Sequence, residues 1–134
     1  MKKEKLPAHQ RYADLIRKFS SDADPVARID KELYPVFEDL VEHLVTDIYG
    51  FAYTRPQIDI KTRHLISLGA LATMGDCDRQ LDFQLKAALN LGIAPHEIKE
   101  VFIQVAVFAG NARAINAALI FHSILTERKI NHGN

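Results

Sequence analysis

The chain has 134 residues, of which 48% are hydrophobic and 25% are charged, a composition typical of one soluble globular protein. Its 17 Lys and Arg residues balance 17 Asp and Glu residues, so the chain lacks the net charge that favours nucleic-acid or anionic-membrane binding. One cysteine excludes an intramolecular disulfide, and no Cys/His cluster has the spacing of a zinc site, so no metal is expected. We therefore expect a cytoplasmic protein with neither a signal peptide nor a membrane span.

The apolar residues recur with helical spacing, and no segment alternates like a half-buried strand. We therefore predict an all-α fold, a compact bundle of about six helices. A first amphipathic helix, over residues 12–19, belongs to a predicted N-terminal arm that comprises residues 1–24. Residues 25–130 form the main domain, and residues 131–134 are predicted to be a disordered tail.

Proline marks the borders of the next helical stretch. Asp24 and Pro25 predict a helix start, as an N-cap followed by proline at the first helical position. Pro35 interrupts the apolar stripe that follows, because proline cannot donate the interior hydrogen bond of a helix. A kinked helix and two separate helices both fit this pattern. Residues 51–57 have no clear period and predict a loop.

Two helices of the second half are apolar on nearly every side. They are predicted over residues 60–74, with Gly75 at the end, and from Pro95 to Ala109. A helix that is apolar all round must be covered all round, either as the central helix of the bundle or by another subunit, and the apolar excess of this half predicts a homo-oligomer. The predicted N-caps in this half are Asp59, either Asp76 or Asp78, and Asn111, and the predicted reciprocal partner of the Ala94 backbone is Glu97.

Three runs of sequence carry a family resemblance. They are YTRPQIDIKTRHLI at 53–66, AALNLGIAPHEIKEV at 87–101 and QVAVFAG at 104–110. In order and spacing they resemble the carboxymuconolactone decarboxylase family, over roughly residues 30–125. The resemblance implies an alkylhydroperoxidase D-like helical fold and a homo-oligomer, either a hexamer or a trimer, with sites near the subunit contacts.

The resemblance implies one of two chemistries, of which the first is thiol-based peroxide reduction. That branch uses a Cys-x-x-Cys pair, a His four residues later and a Glu on the preceding helix. Here Cys77 stands at the first thiol, Gln80 at the second, Gln84 at the His and His64 at the Glu. The dithiol cycle is therefore not available. What remains is an antioxidant activity with Cys77 as the sole thiol and an external thiol as the reductant.

The second branch decarboxylates γ-carboxymuconolactone without a metal or an organic cofactor, and it fits better because it does not need two cysteines. Such a lyase needs cations for the substrate carboxylates, a donor at the carbonyl oxygen and an acid for carbon. The resemblance implies Arg63 or Arg55 as the anion-binding residue, His64 as acid or base, and Gln84 as the residue that orients the small-molecule substrate. This branch usually also has His in place of Gln84, which counts against turnover of its named substrate.

Each candidate residue also has a structural interpretation. Cys77, His64 and Gln84 can be ordinary core residues, and Arg63 can form an ion pair at a subunit contact. His122, predicted to be at least partly buried, is a further candidate for the proton donor. Because the Glu, second Cys and His of the redox set are all replaced, a non-catalytic oligomeric scaffold or binding protein is the third hypothesis.

Overall fold

The structure, a computed structural model, describes residues 6–20 and 24–129. All regular secondary structure in these ranges is helical, which confirms the all-α prediction. Two π-helical segments, Ile29–Leu33 and Thr46–Ala52, follow the third and fourth α-helices directly. The α-helices are Ala8–Arg11 (α1), Ala13–Phe19 (α2), Pro25–Arg28 (α3), Glu38–Val45 (α4), Ile60–Met74 (α5), Asp78–Asn90 (α6), Pro95–Ala109 (α7) and Asn111–Glu127 (α8).

These helices form two units that divide between Ile58 and Asp59. The predicted boundary between residues 24 and 25 lies inside the first unit, because α1 packs against α4 and α2 packs against α3. The predicted tail at 131–134 lies outside the described residues. None of the described helices combines the length and the apolar character that crossing a membrane requires.

The first unit has a small apolar core and a set of polar contacts that fasten α1. Glu42 of α4 accepts hydrogen bonds from the Ala8 amide at 2.7 Å and from the Arg11 guanidinium at 2.9 Å. The imidazole Nε2 of buried His9 lies 3.1 Å from the Asp30 carboxylate in the first π-helical segment. The buried core residues of this unit are Ala8, Ile16, Val26, Val41 and Val45.

Pro35 separates two helices, which decides between the alternatives that the sequence left open. The first π-helical segment ends at Leu33, and α4 begins at Glu38. The predicted loop at 51–57 is wrong at its start, because the second π-helical segment continues to Ala52. Edge-to-face contacts of Phe19 with Tyr49 and Tyr53 pack this segment, with ring centroids 5.5 and 4.9 Å apart.

The second unit packs α5–α8 around one apolar core. Lys61 Nζ, at the start of α5, donates a 3.5 Å hydrogen bond to the Gly92 carbonyl just past the end of α6, so these two consecutive helices run antiparallel. The fully enclosed members of the core include Leu68, Leu85, Ala88, Ile98 and Ile124.

Two of the predicted helix caps in this unit are confirmed. Asp59 accepts a 2.7 Å hydrogen bond from the Thr62 amide, which lowers the pKa of its carboxyl group. Glu97 accepts a 3.1 Å hydrogen bond from the Ala94 amide, the carboxylate half of a capping box. These carboxylates satisfy amides that the first helical turn leaves without partners.

Two other predicted caps are wrong by one residue. Cys77, rather than Asp76 or Asp78, occupies the N-cap position of α6, since Asp76 takes a positive φ of 55° in the preceding turn. Gly110 occupies the N-cap position of α8, because its φ of 94° completes the turn and leaves Asn111 already helical.

Replacing Leu85 by alanine tests the core of the second unit. Leu85 has no exposed surface, so the truncation leaves a cavity among α5, α6 and α8. We expect the free energy of unfolding to fall by about 3 kcal/mol, measured by denaturant titration. Leu119→Ala, on the same unit but 62% exposed, is the control and should cost less than about 0.5 kcal/mol. Equal losses for the two variants would contradict this description of the core.

Candidate functional site

The chain reverses direction between α5 and α6 in a turn formed by Gly75, Asp76 and Cys77. Gly75 has φ 67° and ψ 176°, a conformation that is essentially restricted to glycine. After this turn the Cys77 Sγ donates a hydrogen bond to the Leu71 carbonyl, 3.3 Å away. The Cys77 side chain therefore lies against the last turn of α5.

A cavity of about 120 Å³ opens beside this turn, and polar groups form most of its wall. Two elements build it, namely the α5–α6 turn and the first turns of α8. Cys77 is half-buried at its edge, so the thiol is not part of the apolar core. The lining residues are Leu71, Ala72, Gly75, Asp76, Cys77, Asp78, Leu81, Arg113, Asn116 and Ala117.

Arg113 supplies the cation of this cavity from the first turn of α8. A Cβ atom at position 75 would overlap its guanidinium group, so the close approach requires glycine there. Asn116 lies three residues further on the same helix face and adds an amide that can both donate and accept. The exposed carboxylates of Asp76 and Asp78 complete the polar wall. The cavity thus places one guanidinium, one amide and two carboxylates beside a half-buried thiol.

Sequence reasoning missed Arg113 and Asn116. A signal for the arginine was present, because Arg113 is the one residue among Asp, Glu, Lys and Arg between Gly110 and Leu125. Burying a charge in a mostly apolar helix costs free energy, so a lone charged residue in such a helix is a candidate for a functional role. Nothing in the spacing along the chain links it to Cys77, since 36 residues separate the two.

His64 is completely buried between α5 and α6. Its Nε2 atom donates a 2.8 Å hydrogen bond to the backbone carbonyl of Gln84. Burial lowers the pKa of His64, and the hydrogen bond to the carbonyl offsets this effect only in part. The imidazole is therefore neutral near pH 7, links α5 to α6, and is not among the residues that line the cavity at Cys77.

Of the four predicted residues in the second unit, Cys77 lines this cavity, whereas His64, Arg63 and Gln84 do not. Arg63 is half-buried on α5 next to His64, and Gln84 is half-buried on α6. Arg55 is exposed in the first unit, with its guanidinium carbon 5.2 Å from the centre of the Phe51 ring. Cys77 contacts Leu71 at the end of α5. Leu71 lies seven residues after His64, which corresponds to about 10 Å along the helix axis.

Two further predictions concern His122 and metals. His122 is exposed, which corrects the prediction that it is at least partly buried, because Phe121 and Leu125 are the residues of this turn that face the core. Within residues 6–20 and 24–129, no group of three or more His, Cys, Asp or Glu side chains could hold a metal ion.

Comparison with known proteins identifies the family. The model of the carboxymuconolactone decarboxylase family matches residues 39–123, which is more than half of the chain. The chain therefore belongs to the carboxymuconolactone decarboxylase family. This agrees with the helical fold and with the resemblance of the sequence motifs.

Three similar proteins come from different organisms. An uncharacterized 15.0 kDa protein from the nqo9-nqo10 intergenic region of Paracoccus denitrificans is 30% identical over 95 residues, covering 67% of this chain and 71% of that protein. The 4-carboxymuconolactone decarboxylase of Acinetobacter baylyi is 32% identical over 71 residues, covering 53% and 52%. The nitrosuccinic acid decarboxylase of Metarhizium robertsii is 29% identical over 91 residues, covering 67% and 59%. The matches thus span little more than half of either decarboxylase.

Replacing His64 by glutamine should reduce the acid sensitivity of the fold. The pKa of His64 is lower in the folded chain than its usual value of about 6.5. The stability that the neutral ring provides is therefore present above about pH 6.5 and is lost as the pH falls through the lower, folded-state pKa. Glutamine can still donate to the Gln84 carbonyl, but it does not titrate.

Denaturant titrations at about pH 7.5 and about pH 5, on either side of the usual histidine pKa, measure the effect. The original chain should lose more unfolding free energy between these values than His64→Gln loses. His96→Gln, at an exposed position of α7, is the control for removing a histidine from the same unit. An identical loss in His64→Gln and the original chain would show that His64 does not contribute.

Proposed function

We propose that this protein is a cofactor-independent decarboxylase whose small carboxylated substrate binds in the cavity at Cys77. The observation that carries the proposal is the Arg113 guanidinium held against Gly75 in a small polar cavity beside a thiol. Two relatives with named activities are decarboxylases, one of a carboxymuconolactone and one of nitrosuccinic acid. A volume of about 120 Å³ suits a small substrate, since sites for drug-sized ligands are usually larger than about 300 Å³.

The reaction requires an anchor for the substrate, an acceptor for electrons and a proton. As the carbon–carbon bond to the leaving carboxylate breaks, its electron pair moves toward an electron-withdrawing oxygen of the substrate and carbon dioxide departs. Arg113 pairs with a substrate carboxylate that is retained, and the Asn116 amide donates to the oxygen that accepts the electrons. The Cys77 thiol protonates the carbon and then recovers a proton from solvent.

Asp76 and Asp78 favour loss of the second carboxylate. Both carboxylates line the cavity, where they repel a substrate carboxylate that is not paired with Arg113. Because this carboxylate leaves as neutral carbon dioxide, its repulsion by Asp76 and Asp78 disappears. The bound product is therefore less destabilised than the bound substrate. In this arrangement Arg113 binds one carboxylate of the substrate, and the other carboxylate is the one that is lost.

The proposal assigns to Cys77 the proton transfer that the sequence resemblance suggested for His64. His64 is enclosed and donates to a backbone carbonyl, so it acts by holding α6 against α5. The sole-thiol antioxidant alternative has less support, because both relatives with named activities are decarboxylases.

Replacing Arg113 by glutamine tests the anchor. With 4-carboxymuconolactone and nitrosuccinate as probe substrates, carbon dioxide release measures turnover. We expect kcat/KM for the better substrate to fall about 100-fold, because a charge-assisted pair of hydrogen bonds is lost. Arg79→Gln removes an exposed cation of α6 that does not line the cavity, and it should retain activity.

Activity with neither substrate at high protein concentration would contradict the proposal and favour the non-catalytic scaffold. Peroxide consumption that disappears in Cys77→Ser would favour the antioxidant alternative instead. Equal activity of Arg113→Gln and Arg79→Gln would show that the substrate does not bind in the cavity at Cys77.

We also propose that the chain forms a homo-oligomer, a hexamer or a trimer, through apolar surface of the second unit. Ile66, Met74 and Phe108 are 61%, 65% and 94% exposed, and covering such side chains is favourable. Phe108→Ser should therefore shift the mass measured by light scattering toward that of one chain. Val36→Ser, which removes a 68% exposed apolar side chain of the first unit, is the control and should leave the mass unchanged. An original chain that is monomeric at about 100 μM would contradict this proposal.

A further inference from the structure

A second cavity, with a volume of about 510 Å³, lies between α7 and α8. This volume is in the range of typical small-molecule sites, which extends from about 300 to about 1,000 Å³. The cavity shares no lining residue with the one at Cys77. Its lining residues are Lys99, Phe102, Ile103, Ala106, Ala114, Ile115, Ala118, Phe121, His122 and Leu125.

The polar groups of this groove lie at one end. Lys99 is near the start of α7 and His122 is near the end of α8. Because the chain reverses direction at Gly110, these two residues lie toward the same end of the groove. Ala106 and Ala114 lie toward the opposite end, next to that turn. The seven residue-to-residue steps of α7 from Lys99 to Ala106 correspond to a length of about 10 Å. The groove is therefore an open apolar surface with a lysine and a histidine toward one end.

The apolar part of the groove has a buried base and an exposed rim. Phe102 and Phe121 form the base, 5% and 2% exposed, with their rings edge to face and centroids 6.3 Å apart. Ile103 and Ile115 at the rim are 60% and 56% exposed, so a ligand in the groove would cover them. Ala118 is one of three alanines in the wall, and these small side chains leave the space open.

We propose that this groove binds a monocarboxylate with an apolar body about 10 Å long. The carboxylate pairs with half-buried Lys99 and accepts a hydrogen bond from His122, while the body lies over Phe102 and Phe121. Charge complementarity selects an anion, because Lys99 is the one charged residue in the lining and none of the lining residues is acidic. The site is separate from the proposed decarboxylase cavity, and its ligand is not the substrate there.

Calorimetric titration with decanoate and 2-naphthoate tests the proposal, and the tighter ligand distinguishes an acyl from an aromatic body. Decanol and decyltrimethylammonium have the same chain length as decanoate with a neutral and a cationic head. We expect decanoate to bind at least tenfold more tightly than either of them, through the charge-assisted contact with Lys99. Lys99→Gln should remove that advantage and leave decanol binding unchanged.

Two variants complete the test. Ala118→Leu fills the groove from an exposed position and should abolish binding of both carboxylates, while circular dichroism verifies that the variant is folded. Lys86→Gln, which removes a lysine paired with Asp82 on α6, should bind like the original chain.

Equal affinity for decanoate and decanol, or unchanged decanoate binding by Lys99→Gln, would overturn the proposal. It would also be overturned if the original chain bound neither carboxylate, whether the groove stayed open or a second copy of the chain covered it. Sedimentation of the same samples distinguishes these last two cases.

Discussion

The close approach of Arg113 to the backbone of Gly75 is the contact on which the candidate site depends. Gly75 has a conformation open to glycine alone, and it lacks the Cβ atom that would displace the guanidinium. The reversal at this point lets α6 return along α5, held by the hydrogen bonds of Cys77 to Leu71 and of His64 to Gln84. The same turn thus fixes the helix pair and places a thiol beside a cation.

Features that depend on neighbouring residues were predictable from the sequence. The bounds of α5, the N-cap at Asp59 and the break at Pro35 follow from capping and proline chemistry within a few residues. The predicted cap of α6 failed because Asp76 takes a left-handed backbone conformation, which propensity does not specify. The position of Arg113 follows from the packing of α8 against a turn 36 residues earlier, which helical periodicity does not reveal.

The family resemblance drew attention to Cys77, which lines the polar cavity, and to His64, which does not. Cys77 stands in the position of a redox thiol and lies in a polar cavity, whereas His64, in the position of the redox acid, is a buried link between helices. Membership in the carboxymuconolactone decarboxylase family and two decarboxylase relatives support the proposed reaction. In the proposal Arg113 and Asn116 take over anion binding and orientation, which the motif comparison assigned to Arg63 and Gln84.

A crystal structure of the protein soaked with succinate tests whether the cavity at Cys77 binds a carboxylate at Arg113, because succinate carries two carboxylates and no reactive group. We expect a succinate carboxylate within about 3 Å of the Arg113 guanidinium, with the Asn116 amide in contact with the same molecule. A succinate bound at Arg63 and Gln84, or an empty cavity at Cys77 at saturating succinate, would contradict it.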